Sequence, residues 1–113
     1  MQEIIIRLED NQEDIFITTI NIMELWMGAM LSKNKEKNIN QINKLIECFN
    51  IYSFDLDSSK VAGEINAFLR DIGKKIDLED VMISAIAKTK NEKVLTRNIK
   101  HFSLVPNLQI ETY

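Results

Sequence analysis

The apolar positions of this chain switch repeatedly between short β-branched runs and the three-to-four-residue spacing of amphipathic helices. The short runs predict strands at residues 15–20, 50–54, 93–96 and 108–112. The helical spacing predicts helices at residues 21–31, 39–49, 61–72 and 77–87. Because strands alternate with amphipathic helices, we expect a single α/β domain over residues 1–113, with helices flanking a mostly parallel sheet.

Three of the predicted helices carry signals at their ends. Asn21 is followed three residues later by Glu24, and Asp77 is followed by Asp80, a spacing typical of a capping box. Gly73 comes directly after the third helix, where a glycine commonly ends a helix in the left-handed conformation.

The N-terminal segment has no decisive pattern. Ile4, Ile5 and Ile6, with Leu8, suit either a short strand or the last turns of a helix, and we favour the helix. The acidic residues 9–14 would then connect this segment to the first strand.

Composition narrows the class of protein. Hydrophobic residues make up 45% and charged residues 27%, which is ordinary for a globular domain. Cys48 is the only cysteine; its place in an amphipathic pattern predicts a core position, and a disulfide framework is excluded. No apolar run is long enough for a membrane span, and no signal peptide is evident at Met1, so we expect a cytoplasmic protein.

Charge gives a second constraint. The formal net charge of −3 argues against a protein that holds nucleic acid mainly through a basic surface, although it does not exclude an enzyme acting on nucleic acid. The polar run at residues 32–38 is interpreted as a solvated connection between helices, with a nucleic-acid contact as the alternative.

Side chains with oxygen atoms lie after two of the predicted strands and at the start of one predicted helix. Glu24 follows the first strand, Asp80 lies at a helix start, and Asn98 follows the third strand. Because ligands of parallel sheets bind at the carboxyl ends of the strands, these groups could hold Mg²⁺ through oxygen atoms. Pattern alone, however, favours capping as the role of Glu24 and Asp80.

Four segments, in order, resemble the PIN-domain family and its VapC-type toxins. They are ITTINIMELWMGA at 17–29, DLDSSKVAGEI at 55–65, GKKIDLEDVMISAIA at 73–87 and TRNIKHF at 96–102, followed by Pro106 to Leu108. The resemblance implies a metal-dependent endoribonuclease that hydrolyses RNA phosphodiesters, acting as the toxin of a toxin–antitoxin pair.

The resemblance also assigns roles to residues. Glu24 and Asp80 match metal-ligand positions for Mg²⁺ or Mn²⁺, and Asn98 matches a third catalytic position. The implied substrate-binding residues are Thr18, Thr96, Arg97, Lys74 and Lys100. His101 is interpreted as a turn residue.

Protein partners are implied as well: a VapB-like antitoxin and a second copy of the chain in a homodimer. The apolar helix face of Trp26, Met27 and Met30 could be such an interface, although we favour the core for it.

The chain departs from the family at its start. PIN domains open with a strand that ends in an Asp, and no segment here matches it; residues 1–12 instead resemble the end of a later helix. The natural chain could begin earlier, it could be a nuclease remnant, or Ile4, Ile5 and Ile6 could occupy the strand position. Each explanation predicts weak or absent catalysis, and the alternative function is an inactive binding or dimerisation module.

Overall fold

The computed structural model describes the backbone of residues 4–9, 12–96 and 98–112, and the side chains of residues 16–96 and 98–112. Strands and helices alternate through most of this part of the chain. In chain order they are β1 (Ile4–Glu9), β2 (Gln12–Thr18), α1 (Thr19–Met30), α2 (Lys35–Cys48), β3 (Asn50–Tyr52), α3 (Leu56–Asp71), α4 (Leu78–Thr89), β4 (Lys93–Leu95), α5 (Ile99–Phe102) and β5 (Gln109–Glu111). No helix in the described residues is long and apolar enough to cross a membrane.

The strands form one sheet in the order β3-β2-β1-β4-β5. β2 pairs with β3 and β4 pairs with β5 in parallel, whereas β1 is antiparallel to both of its neighbours, β2 and β4. Four strands therefore run in one direction and the central strand runs against them. The predicted α/β fold with a mostly parallel sheet is confirmed.

The favoured prediction for the N-terminal segment is wrong. Residues 4–9 form a strand, not the end of a helix, and Ile4, Ile5 and Ile6 fill the centre of the sheet. Ile5 lies opposite both Phe16 of β2 and Val94 of β4. The segment is a strand because backbone groups of two neighbours pair with it, which no local pattern reveals.

Helix α4 joins two parts of the core. Its residues Ile83 and Ile86 pack with Phe16 of β2 and Val94 of β4, on the side of the sheet. Its residues Val81 and Ala85 pack instead with the α3 cluster. The predicted inward face of this helix is confirmed, since all its apolar members are fully buried: Val81, Ile83, Ala85, Ile86 and Ala87.

Gly73 ends α3 as predicted. Its φ of 69° lies in the left-handed region, and its N–H donates to the Arg70 carbonyl over 3.1 Å. The next N–H, of Lys74, donates to the Leu69 carbonyl over 2.8 Å, which completes a Schellman motif. The chain thereby turns towards the start of α4.

Four residues predicted to be in the core are on the surface. Cys48 is exposed at the end of α2. On α1, Trp26 is 38% exposed, Met27 60% and Met30 45%, so the preference for a core role of this face is wrong. An amphipathic pattern shows which face of a helix is apolar, but it does not show whether another element covers that face.

Candidate active site

The carboxyl ends of β2 and β4 lie at the same edge of the sheet, because both strands run antiparallel to β1 between them. β2 leads directly into α1, which carries Glu24, and β4 is followed by Thr96 and Asn98. Asp80 lies in the first turn of α4. This edge is where an α/β sheet places its ligands, and Glu24, Asp80 and Asn98 lie at it.

The capping box at the start of α1 is formed by other residues than predicted. Thr18 is the N-cap: its Oγ1 accepts from the Asn21 N–H over 3.1 Å, and the Asn21 carboxamide oxygen accepts from the Thr18 N–H over 2.8 Å. Asn21 is thus the third helical residue and not the cap. Glu24 lies almost one turn further along and has no part in capping, so the capping interpretation of this carboxylate is wrong.

Capping does not account for Asp80 either. Asp77 precedes the first residue of α4, but its side chain makes no cap hydrogen bond. Among the residues that the structure describes, no group donates a hydrogen bond to the carboxylate of Asp80 or of Glu24. Both carboxylates therefore remain available to a ligand.

The two carboxylates are held in an electrostatically unfavourable environment. Burial, followed by the negative charges of Asp77 and Glu24, raises the pKa of Asp80 to about 6, although the charge of His101 acts in the opposite direction. Loss of water also raises the pKa of Glu24, as does the charge of Glu79. Clustered carboxylates with raised pKa values are typical of functional sites.

Asn98 is fixed by two hydrogen bonds. Its backbone N–H donates to Thr96 Oγ1 over 2.8 Å, and its side-chain Nδ2 lies 2.9 Å from His101 Nδ1. When the ring is neutral, Nδ1 of His101 accepts from this amide nitrogen and the ring proton is on Nε2, whereas the charged ring carries a proton on both nitrogens. A rigid amide at the sheet edge can orient a water or a phosphate oxygen.

His101 is a site residue that the sequence interpretation missed. It belongs to α5 and not to a turn, it is half-buried, and it acts on the charge of Asp80. The available signal was its position three residues after Asn98, since side chains at that spacing lie on one face of a helical turn.

The predicted substrate-binding residues are distributed unevenly. Thr18 and Thr96 are fully buried, so their hydroxyls position Asn21 and Asn98 and are not exposed to a substrate. Lys100 is exposed on α5, beside His101. Lys74 lines a separate hollow of about 290 Å³ with Arg70 and Lys75. Arg97 lies outside the described residues.

The described backbone of the acidic N-terminal connection lies away from this edge. Glu9 pairs with Gln12 at the opposite edge of the sheet. Asp14 lies four residues before the end of β2 at Thr18, about 13 Å away along the strand. Asp10 lies outside the described residues.

Asp80→Asn is expected to stabilise the fold at neutral pH. A carboxyl group with a folded pKa of about 6 and an unfolded pKa near 3.9 binds its proton more tightly when folded. Its contribution is fully present below about pH 4 and is lost as pH rises through 6. After discounting for partial exposure, denaturant unfolding at pH 7.5 should show about 1–2 kcal/mol more stability for Asp80→Asn than for the parent.

At pH 4 this gain in stability should vanish, because the Asp80 side chain of the folded parent is then uncharged, as is the asparagine that replaces it. Asp71→Asn, at the exposed end of α3, is the matched control and should change stability by less than about 0.5 kcal/mol at either pH. An equal change in stability from both substitutions would contradict the unfavourable electrostatic environment assigned to Asp80. A loss of stability in Asp80→Asn at pH 7.5 would contradict it as well.

Comparison with known proteins identifies the relatives of this arrangement. The PIN domain family matches residues 2–108. Ribonuclease VapC2 of Rickettsia felis is 31% identical over 88% of this chain and 74% of the relative. The tRNA(fMet)-specific endonuclease VapC of Salmonella typhimurium is 28% identical over 95% of this chain and 81% of the relative. The structure of VapBC-1 from nontypeable Haemophilus influenzae superposes with a TM-score of 0.84, at 28% identity, over 93% of this chain and 78% of that chain.

Proposed function

Because the chain belongs to the PIN-domain family and is similar to its VapC toxins, we propose that it is the ribonuclease toxin of a toxin–antitoxin pair. It hydrolyses RNA phosphodiester bonds with the help of Mg²⁺ or Mn²⁺. The observation that carries the proposal is the placement of two carboxylates that take no part in helix capping. These are Glu24 and Asp80, on the sheet edge where β2 and β4 end.

The donor set fits a hard divalent cation. Mg²⁺ is commonly held by one or two carboxylates together with water or phosphate oxygens, and Glu24 and Asp80 supply such a pair. Within the described residues, no group of three or more His, Cys, Asp or Glu side chains is placed to share one ion, which argues against a zinc site of that kind there. Burial and, after it, repulsion between the carboxylates raise both carboxyl pKa values, and a bound cation would offset both effects.

The chain's own residues have distinct tasks in the proposed reaction. Glu24 and Asp80 hold the cation, which when bound supplies Lewis-acid chemistry to the phosphate and to a water. Asn98, held by Thr96 and His101, orients the attacking water or a phosphate oxygen. The protonated Nε2 of His101 and the exposed Lys100 donate to the phosphate as its negative charge grows.

We further propose that cleavage by this chain is slow. Glu24 and Asp80 are the two carboxylates assigned to the ion, and no group of three or more His, Cys, Asp or Glu side chains within the described residues is placed to hold one. Fewer acidic ligands bind Mg²⁺ less tightly. The site therefore depends more on metal concentration than a site with a fuller set of carboxylates.

The exposed apolar face of α1 supports a protein partner. Trp26, Met27 and Met30 are joined there by Met23 and Leu31, which is 80% exposed. Contiguous exposed apolar side chains mark interaction surfaces. The proposed partners are a VapB-like antitoxin and a second copy of the chain. The same face supports the second candidate function, in which the chain does not cleave RNA and serves as a binding or dimerisation module.

The proposed metal site is tested by thermal unfolding with and without the ion. At a Mn²⁺ concentration about tenfold above the Kd, linkage adds about 1.4 kcal/mol of stability, or about 5 °C in Tm for a domain of this size. The double variant Glu24→Gln/Asp80→Asn should show no such shift, whereas Asp71→Asn should keep it. A shift of equal size in all three proteins would place the ion elsewhere and remove the support for metal-dependent catalysis.

A further inference from the structure

The connection between α1 and α2, with α2 as far as Lys44, lines an open hollow of about 720 Å³. Four lysines surround it, Lys33, Lys35, Lys37 and Lys44, together with three amide side chains and a single carboxylate, Glu36. We call this surface the basic hollow. The whole chain has a net charge of −3, so the basic hollow reverses the sign of the charge locally.

The positive charge of the basic hollow is not neutralised within the part of the chain that the structure describes. None of its four lysines forms an ion pair there, whereas Lys90 and Lys93, elsewhere on the surface, do. The start of α2 adds to the field. Asn34 precedes the helix without a side-chain cap hydrogen bond, so the first-turn N–H groups lack that acceptor.

The basic hollow shares a lining residue with a second hollow that contains Glu24 of the candidate active site. Gln41 lines it and also lines a second hollow of about 450 Å³ between α1 and α2. Glu24 lines that second hollow. From Glu24 to the end of α1 at Met30 the helix advances about 9 Å, so the two regions lie within reach of one short strand of nucleic acid.

We propose that the basic hollow binds backbone phosphates of single-stranded RNA a few nucleotides from the bond that is cleaved. The inference rests on the proposed ribonuclease function and adds a subsite to it. Lysines act as point charges and contact phosphate without reading sequence, which suits a surface that holds the chain of the substrate in place. The position of Gln41, in the lining of both the basic hollow and the hollow of Glu24, favours RNA over an acidic protein segment as the ligand.

The test is binding of a fluorescein-labelled 12-nucleotide RNA in EDTA, followed by anisotropy between 50 and 200 mM KCl. Lys33→Gln/Lys35→Gln should bind about five- to tenfold more weakly than the parent, and its slope of log K against log salt should fall by about 1.4, since each lost phosphate contact removes about 0.7. The control Lys60→Gln/Lys88→Gln removes two lysines outside the basic hollow and should bind within about twofold of the parent.

Equal weakening by both double variants, an unchanged salt slope, or no RNA binding by the parent would overturn the proposal. A charge-matched polyglutamate peptide provides a further test. The proposal would also be overturned if this peptide bound the parent as tightly as RNA does and lost as much affinity for Lys33→Gln/Lys35→Gln. The outcome is separable from that of the proposed function. A parent that fails to cleave RNA but shows the predicted salt slopes loses the ribonuclease assignment and keeps this subsite, and the converse result removes the subsite alone.

Discussion

Asp80→Asn is expected to slow metal-dependent RNA cleavage by about a hundredfold or more, an effect of the size that loss of one preorganised electrostatic group has in other enzymes. The substitution keeps the shape of the side chain and removes the charge that attracts the cation. Glu24→Gln should act in the same way. Because both carboxylates serve one ion, the double variant should be scarcely slower than either single variant.

The measurement is the initial rate of cleavage of a labelled RNA in Mn²⁺ and in Mg²⁺, with EDTA as the blank and Asp71→Asn as the control that keeps the parental rate. Unfolding cannot explain a loss in Asp80→Asn, since removal of this charge is expected to stabilise the protein at neutral pH. A variant that cleaves at the parental rate would show that the carboxylate of Asp80 has no part in the chemistry. A parent whose rate equals the blank would favour the binding-module function.

Phe102→Ala is expected to destabilise the fold by about 3–5 kcal/mol, the usual cost of removing a buried phenyl ring and leaving a cavity. Phe102 is fully buried at the end of α5, where it belongs to the core cluster that includes Ile83, Ile86 and Val94. This loss is a large fraction of the 5–15 kcal/mol that typically stabilises a domain.

Urea unfolding measures the change, with Ile99→Ala as the matched control from the same short helix. Ile99 is 42% exposed, so its truncation should cost less than about 1 kcal/mol. Phe102→Leu refills part of the cavity and should recover a substantial part of the loss. Equal costs for Phe102→Ala and Ile99→Ala would mean that α5, with Asn98 and His101, is not anchored through this ring.

The spacing of apolar residues and the position of glycine predicted those elements that are determined by neighbouring residues in the sequence. Helix α4 was recognisable because its apolar residues recur at helical spacing, and the five that were predicted to face inward are all buried. The end of α3 at Gly73 was recognisable because few other residues adopt a positive φ so readily. The strand β1 was not recognisable. Its six residues become a strand through pairing with β2 and with β4, and β4 lies about 90 residues further along the chain.

The candidate site was predictable in its carboxylates and not in its supporting residues. Asn21–Glu24 and Thr18–Asn21 share the same three-residue spacing, and only the end of β2 decides which pair forms the capping box. The exposure of Trp26 and Cys48 was not predictable, because it depends on which elements the fold brings over each helix. His101 escaped notice because its effect on the charge of Asp80 arises only when α5 and α4 meet at the sheet edge, although its hydrogen bond with Asn98 is local.

The reversed direction of β1 also bears on how the sheet assembles in time. β1 meets β2 almost at once along the chain, since Glu9 pairs with Gln12, so this half of the sheet has low contact order and can form early. Its other edge waits for β4, whose pairing with Ile4 closes a loop of about 90 residues and carries a larger entropic cost. During synthesis the central strand therefore leaves the ribosome long before its second neighbour, with one row of backbone groups unpaired until β4 arrives.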